Sequence, residues 1–230
     1  MAPGQATAVD ALLLNPSPRW QVDDAARARQ MAQRQAVAAA LATRQVTLQM
    51  EDGSLVALPA GALGFGGVGW LFWPLAGLAL LLYLFAVVVV LARPRIRNLL
   101  YLVMAWCQSA NLLCMALETV PGLAQPIPAI GFGLGLRLAL DVATAAAIVH
   151  SCALHPRRMA HARAVAAGAW VGGALGTALL VALQPPHTWW WSQALCLGLG
   201  SLALALVHHA CRLEPNPYAL VIRRLCAPVP

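Results

Sequence analysis

From about residue 70 onward the chain is built from long unbroken apolar runs, with polar residues confined to short gaps between them. Runs of roughly 20 apolar residues are long enough to cross a hydrocarbon core about 30 Å thick as a helix. Such runs fall at 70–92, 99–120, 129–152, 164–183 and 189–211. The pattern predicts an all-α membrane protein: a five-transmembrane-helix bundle over 63–212, followed by a tail at 213–230. The first 62 residues read differently. "VDDAARARQMAQRQAVAAALA" predicts an alanine-rich helix at about 22–43, with acidic residues in its first turn where they complement the helix dipole. "VTLQMEDGSLVALP" alternates apolar and polar positions around Asp52-Gly53 and predicts a β-hairpin at about 45–59. "GALGFGGVG" is a flexible connection into the membrane. This N-terminal segment is too short to bury a substantial core of its own.

Composition strengthens that reading. Hydrophobic residues make up 60% of the chain, charged ones 10%, and the mean hydropathy is +0.70, values that exclude an ordinary soluble domain. The formal charge of +7 does not point to nucleic acid, because the arginines sit in alternate connections. Arg93, Arg95 and Arg97 fill the first loop, Arg157, Arg158 and Arg163 the third, and Arg212, Arg223 and Arg224 follow the last run, whereas "PGLAQPIP" and "QPPHT" carry none. The positive-inside bias then puts the first and third loops and the C-terminus in the cytoplasm, and the N-terminus outside an inner membrane. Trp70 and Trp73, and Trp189, Trp190 and Trp191, open two spans at the outer interface as lipid anchors. "ALLL" at 11–14 is too short for a signal-peptide core, so the first span is expected to carry the N-terminal segment across. The basic residues are all arginine, a usage similar to that of high-GC bacterial genomes.

The polar residues inside the runs are the candidates for function. Arg137 and Asp141 interrupt "GFGLGLRLALDVATAAAIVH" four residues apart, about 6 Å along one helix face. A charge at the bilayer centre costs about 2.5–3.5 kcal/mol on insertion scales, which favours partners inside the protein. Folding the second and third spans about 124–125 as an antiparallel pair sets Asn111 at the depth of Arg137 and Gln108 at that of Asp141, with Glu118 nearer the outer surface. The expected intramembrane polar cluster is Gln108, Asn111, Glu118, Arg137 and Asp141. Met104, Cys107, Gln108, Asn111, Cys114, Met115 and Glu118 form one stripe that should face the bundle. The cluster reads either as a ligand, proton or switching site or as a staple that fixes helix register. A soft-metal site built on Cys107, Cys114, Met104 and Met115 is a weaker alternative. The chain has no CxxC pair, and reduced thiols are expected.

Two further patterns stand out. Gly168, Gly172 and Gly176 repeat every four residues, with Gly173 beside them, and predict a smooth helix-packing face within the chain or between copies. His150, with His208 or His209, could supply two axial nitrogens to a haem from facing helices, although no cofactor motif accompanies them. No metal site and no cofactor is expected beyond that haem alternative.

Helix followed by hairpin resembles the closing half of a PDZ-like domain over about 40 residues, without a carboxylate-binding loop. An extracytoplasmic segment, a helical bundle and loops such as "ARPRIRNLLYLVMA" and "LHPRRMAHAR" together resemble the multi-pass input region of bacterial sensor histidine kinases. That resemblance implies signal input through a partner or an output domain elsewhere. The chain carries no phosphoacceptor box, nucleotide-binding loop, zincin, deaminase or catalytic-triad signature, and reads as non-catalytic. The expected function is therefore a membrane sensor domain, with the lipid bilayer and a protein partner or second copy as its associates. The alternatives are an accessory or assembly subunit of a larger membrane complex and a haem-binding or quinone-linked redox protein.

Overall fold

The computed structural model describes residues 21, 23–42, 45–50, 52–59, 68–120, 127–155 and 158–213. The "ALLL" segment, most of the glycine-rich connection, Arg157 and the tail beyond 213, with Arg223, Arg224 and Cys226, lie outside them. The elements in order are α1 (Asp24–Ala42), β1 (Gln45–Gln49), β2 (Leu55–Pro59), α2 (Phe72–Ala92), α3 (Ile96–Glu118), α4 (Ile127–Leu154), α5 (Ala162–Leu183) and α6 (Thr188–Leu213). Helices α2 to α6 are each long and apolar enough to cross a membrane. The protein is an all-α, multi-pass membrane protein with a small helix-and-hairpin segment ahead of its spans. Its chain divides into two compact units, residues 1–78 with 112–132, and residues 79–111 with 133–230.

In the first unit α1 starts where Asp23 caps it: the carboxylate accepts from the amides of Ala25 at 3.3 Å and Ala26 at 3.2 Å, satisfying donors that have no partner within the helix. The inward stripe of α1 is polar. Arg27 and Gln30 are buried, and Arg27 bonds Asp24 at 2.8 Å and the Gln21 carbonyl at 2.7 Å. Strands β1 and β2 pair antiparallel, with Gln45 opposite Pro59 and Gln49 opposite Leu55. Their turn needs Gly53 at φ 82, a conformation that costs other residues dearly. Asp52 Oδ1 accepts from the Ser54 hydroxyl at 2.6 Å and from its amide at 2.9 Å, and these bonds hold the Asp52 carboxyl below the usual range.

The second unit holds the main core. Helix α2 is apolar on every side and buries only Ala79 and Ala86, as a helix facing lipid does. It ends at the Arg93-Pro94 turn, where Asn98 Nδ2 donates to the carbonyls of Arg93 at 2.7 Å and Val89 at 3.3 Å. Helix α4 is the most enclosed, with 44% of its span buried against 11% for α2. Its stripe of Val142, Ala146, Val149 and Ala153 meets Ala162 and Ala169 of α5 and Leu199, Ala203 and Leu206 of α6. Small residues on these faces let the backbones approach closely, which is how helices associate where water supplies no hydrophobic drive. Helix α5 stops at Gln184 in the left-handed region, its amide bonded to the Leu180 carbonyl at 3.1 Å, and Pro185 and Pro186 prevent its continuation.

The expected glycine face divides in two. A Cβ on Gly173 would stand 2.8 Å from Val142 Cγ1, and one on Gly176 would stand 2.9 Å from Leu195 Cδ2, whereas Gly168 and Gly172 meet nothing within 4 Å. A four-residue repeat drifts around a helix that turns once every 3.6 residues, so the glycines do not share one contact. Because Val142 is itself buried, Gly173→Leu is expected to destabilise the fold by about 1–3 kcal/mol through overpacking. Gly168→Leu should change it by no more than about 0.5 kcal/mol. Denaturation of the purified variants in detergent micelles measures both.

Candidate functional site

Facing turns of α3 and α4 bring the intramembrane polar residues together in the second unit. Asn111 Nδ2 donates to Asp141 Oδ1 at 2.8 Å. One turn away Gln108 Nε2 donates to the Thr144 hydroxyl at 3.1 Å, and that hydroxyl donates to the Leu140 carbonyl at 2.9 Å. Asn111 is 2% exposed and Arg137 9%, so both side chains are withdrawn from lipid, as their desolvation cost requires. On α3, Cys107 is buried with Asn111, while Met104, Gln108, Cys114 and Met115 are half-buried. Trp106, Leu113 and Leu117 are exposed on the other side. The polar stripe thus points inward and the aliphatic one outward.

The side-chain contacts fall one helical turn on from the equal-depth pairs: Asn111 bonds Asp141, and Gln108 bonds Thr144. The cause is the backward lean of helical side chains, each toward its own N-terminus. In an antiparallel pair these leans oppose, so side chains that touch belong to backbone positions displaced from equal depth. Thr144 carried no charge to flag it in the sequence. Its only signal was a position three residues beyond Asp141, on the same face.

One atom of the site is left over. Asn111 Oδ1 is buried with no hydrogen-bond partner among the described residues, and the Ser109 hydroxyl two residues earlier is in the same position. An unsatisfied buried acceptor costs about 1–3 kcal/mol.

Glu118 belongs to the first unit, where α1 reaches it. Arg34 Nη1 donates to the Glu118 main-chain carbonyl at 2.6 Å, filling one of the carbonyls that the end of α3 leaves open. Burial pulls the Arg34 guanidinium below its ordinary pKa, and the Glu118 carboxylate partly offsets this. A Cβ on Gly69 would lie 3.7 Å from the Thr119 carbonyl, so the entry to α2 and the exit of α3 are neighbours. The sequence offered no sign that an arginine of the N-terminal helix would reach the end of a membrane span.

His150 Nδ1 is 3.4 Å from the Trp170 indole nitrogen, which donates toward it, while His208 and His209 are exposed. Among the described residues no group of three or more His, Cys, Asp or Glu side chains is gathered for a metal ion. No protein-family model, no curated protein and no solved structure matches the chain.

The site makes a graded prediction. Asn111→Leu removes the donor facing Asp141 and should cost about 1–3 kcal/mol. Gln108→Leu breaks a neutral pair and should cost about 0.6 kcal/mol, the average for hydrogen bonds between membrane helices. Denaturant titration of both variants in micelles should preserve this order.

Proposed function

We propose that the protein is the membrane-embedded input part of a signalling system, sited in an inner membrane with its N-terminal segment outside, and that it acts through a protein partner or an output domain. The observation that carries this reading is the Arg34 bond to the end of α3 at 2.6 Å. It joins the helix ahead of the membrane to the span that bears the buried Asn111–Asp141 pair. From Glu118 to Asn111 is seven residues of continuous helix, about 10 Å at 1.5 Å per residue. The α1 contact and the polar pair thus share one continuous helix, α3.

The pair can respond in steps. A one-turn slide of α3, about 5.4 Å, would carry Asn111 from Asp141 toward Arg137, whose guanidinium could fill the spare Oδ1. Two registers with different polar partners make a bistable contact, which is what coupling between distant sites requires. Any bound signal need only favour one register over the other.

Two measurements test the reading. Alkaline phosphatase fused after Gln184 should be active, and fused after Arg212 inactive; the reverse pattern overturns the orientation. Affinity purification of the full chain from its own cells should recover a protein bearing an output module, and Arg34→Ala and Asp141→Asn should each change that output at least severalfold at unchanged membrane abundance. Unaltered output in both variants, or recovery of a stable complex with no signalling component, would favour an assembly subunit instead.

A further inference from the structure

The geometry points to a binding site for an anionic phospholipid head group between the end of α4 and the start of α5. A cavity of about 590 Å³ opens there, lined by Arg158, Met159, His161, Ala162 and Arg163 among others, within the roughly 300–1,000 Å³ span of ligand-binding clefts. Arg158, His161 and Arg163 are exposed, and among the described residues their side chains make no hydrogen bond or ion pair. Three unpaired basic side chains converging on one hollow leave it without a counter-charge. Guanidinium groups match phosphate oxygens in a bidentate fork.

The first turn of α5 opens on the same hollow. His161 occupies the N-cap position with no side-chain bond to the helix amides; the Ala162 amide donates to the Met159 carbonyl at 3.1 Å, and the positive end of the α5 dipole favours an anion there. The floor is apolar: Ala162 is buried, and Met159 packs against the core cluster of α4, α5 and α6. The cavity lies between Leu154, where one membrane-spanning helix ends, and Ala162, where the next begins, which is the depth of the head-group layer. A basic rim over an apolar floor at that depth fits a phosphodiester head group whose glycerol and acyl carbons continue along the helices. A soluble anion would have no use for such a floor. The site depends only on the membrane fold and stands apart from the signalling role.

Native mass spectrometry of the full chain in micelles tests the assignment, with phosphatidylglycerol and phosphatidylcholine added in separate titrations. Wild type should retain one phosphatidylglycerol about tenfold more readily than phosphatidylcholine, and Arg158→Gln/Arg163→Gln should reduce that preference to within about twofold. Arg93→Gln/Arg95→Gln removes the same charge at residues that do not line the cavity and should keep it. Equal loss in both double variants, or none in either, overturns the site. Displacement of the lipid by millimolar inorganic phosphate would assign the hollow to a free oxyanion and overturn the lipid.

Discussion

Inside a hydrocarbon layer no water is present to satisfy a polar group, and the rest of this structure follows from that constraint. Backbone amides and carbonyls must pair within their own segment, so the apolar part of the chain is helical throughout. Side chains that can form hydrogen bonds must find protein partners, which is why Asn111, Gln108, Asp141 and Thr144 lie between α3 and α4. Apolar contact no longer drives association either, since lipid tails are as apolar as leucine. What remains is close packing, and the alanine faces of α4, α5 and α6 with Gly173 provide it.

Two kinds of contact therefore divide the second unit. The α4–α5–α6 seam is close packing of small and aliphatic residues that tolerates little displacement, because interiors at native density have no room for it. The α3–α4 contact is made by a few polar side chains whose partners change from turn to turn. A helix held by discrete hydrogen bonds has discrete registers; one held by continuous interlocking has a single register. Through Arg34, α1 bonds the end of α3.

The sequence revealed what depends on length, period and composition. The five apolar runs and the five spanning helices agree within a few residues, because a hydrocarbon layer sets a minimum length that composition alone can report. The Asp52-Gly53 turn was equally legible, since the positive φ at Gly53 calls for glycine. Three-dimensional offsets were not. The one-turn shift that pairs Asn111 with Asp141 comes from the lean of side chains, which equal-depth reasoning ignores. The glycine face split because spacing by four only approximates the helical period. Arg34 meeting Glu118 is a contact between residues 84 apart, and no local pattern encodes it. Arg27 and Gln30 lie in an alanine-rich stretch with no apolar stripe to mark an inward face, yet both are buried.

The location of unmet hydrogen-bonding capacity gives the last step. Each unmatched buried acceptor costs about 1–3 kcal/mol. One of the buried polar atoms without a partner among the described residues, Asn111 Oδ1, sits on the same side chain that holds the Asp141 carboxylate. The amide thus donates toward one neighbour and is unused as an acceptor among the described residues. Its complement, a guanidinium with donors and no acceptor, belongs to Arg137, one turn along the same helix as Asp141. An asparagine between a carboxylate and an arginine can serve either, and leucine at that position could serve neither. A residue able to bond in both directions within one turn suits a contact that changes register better than one that only holds it.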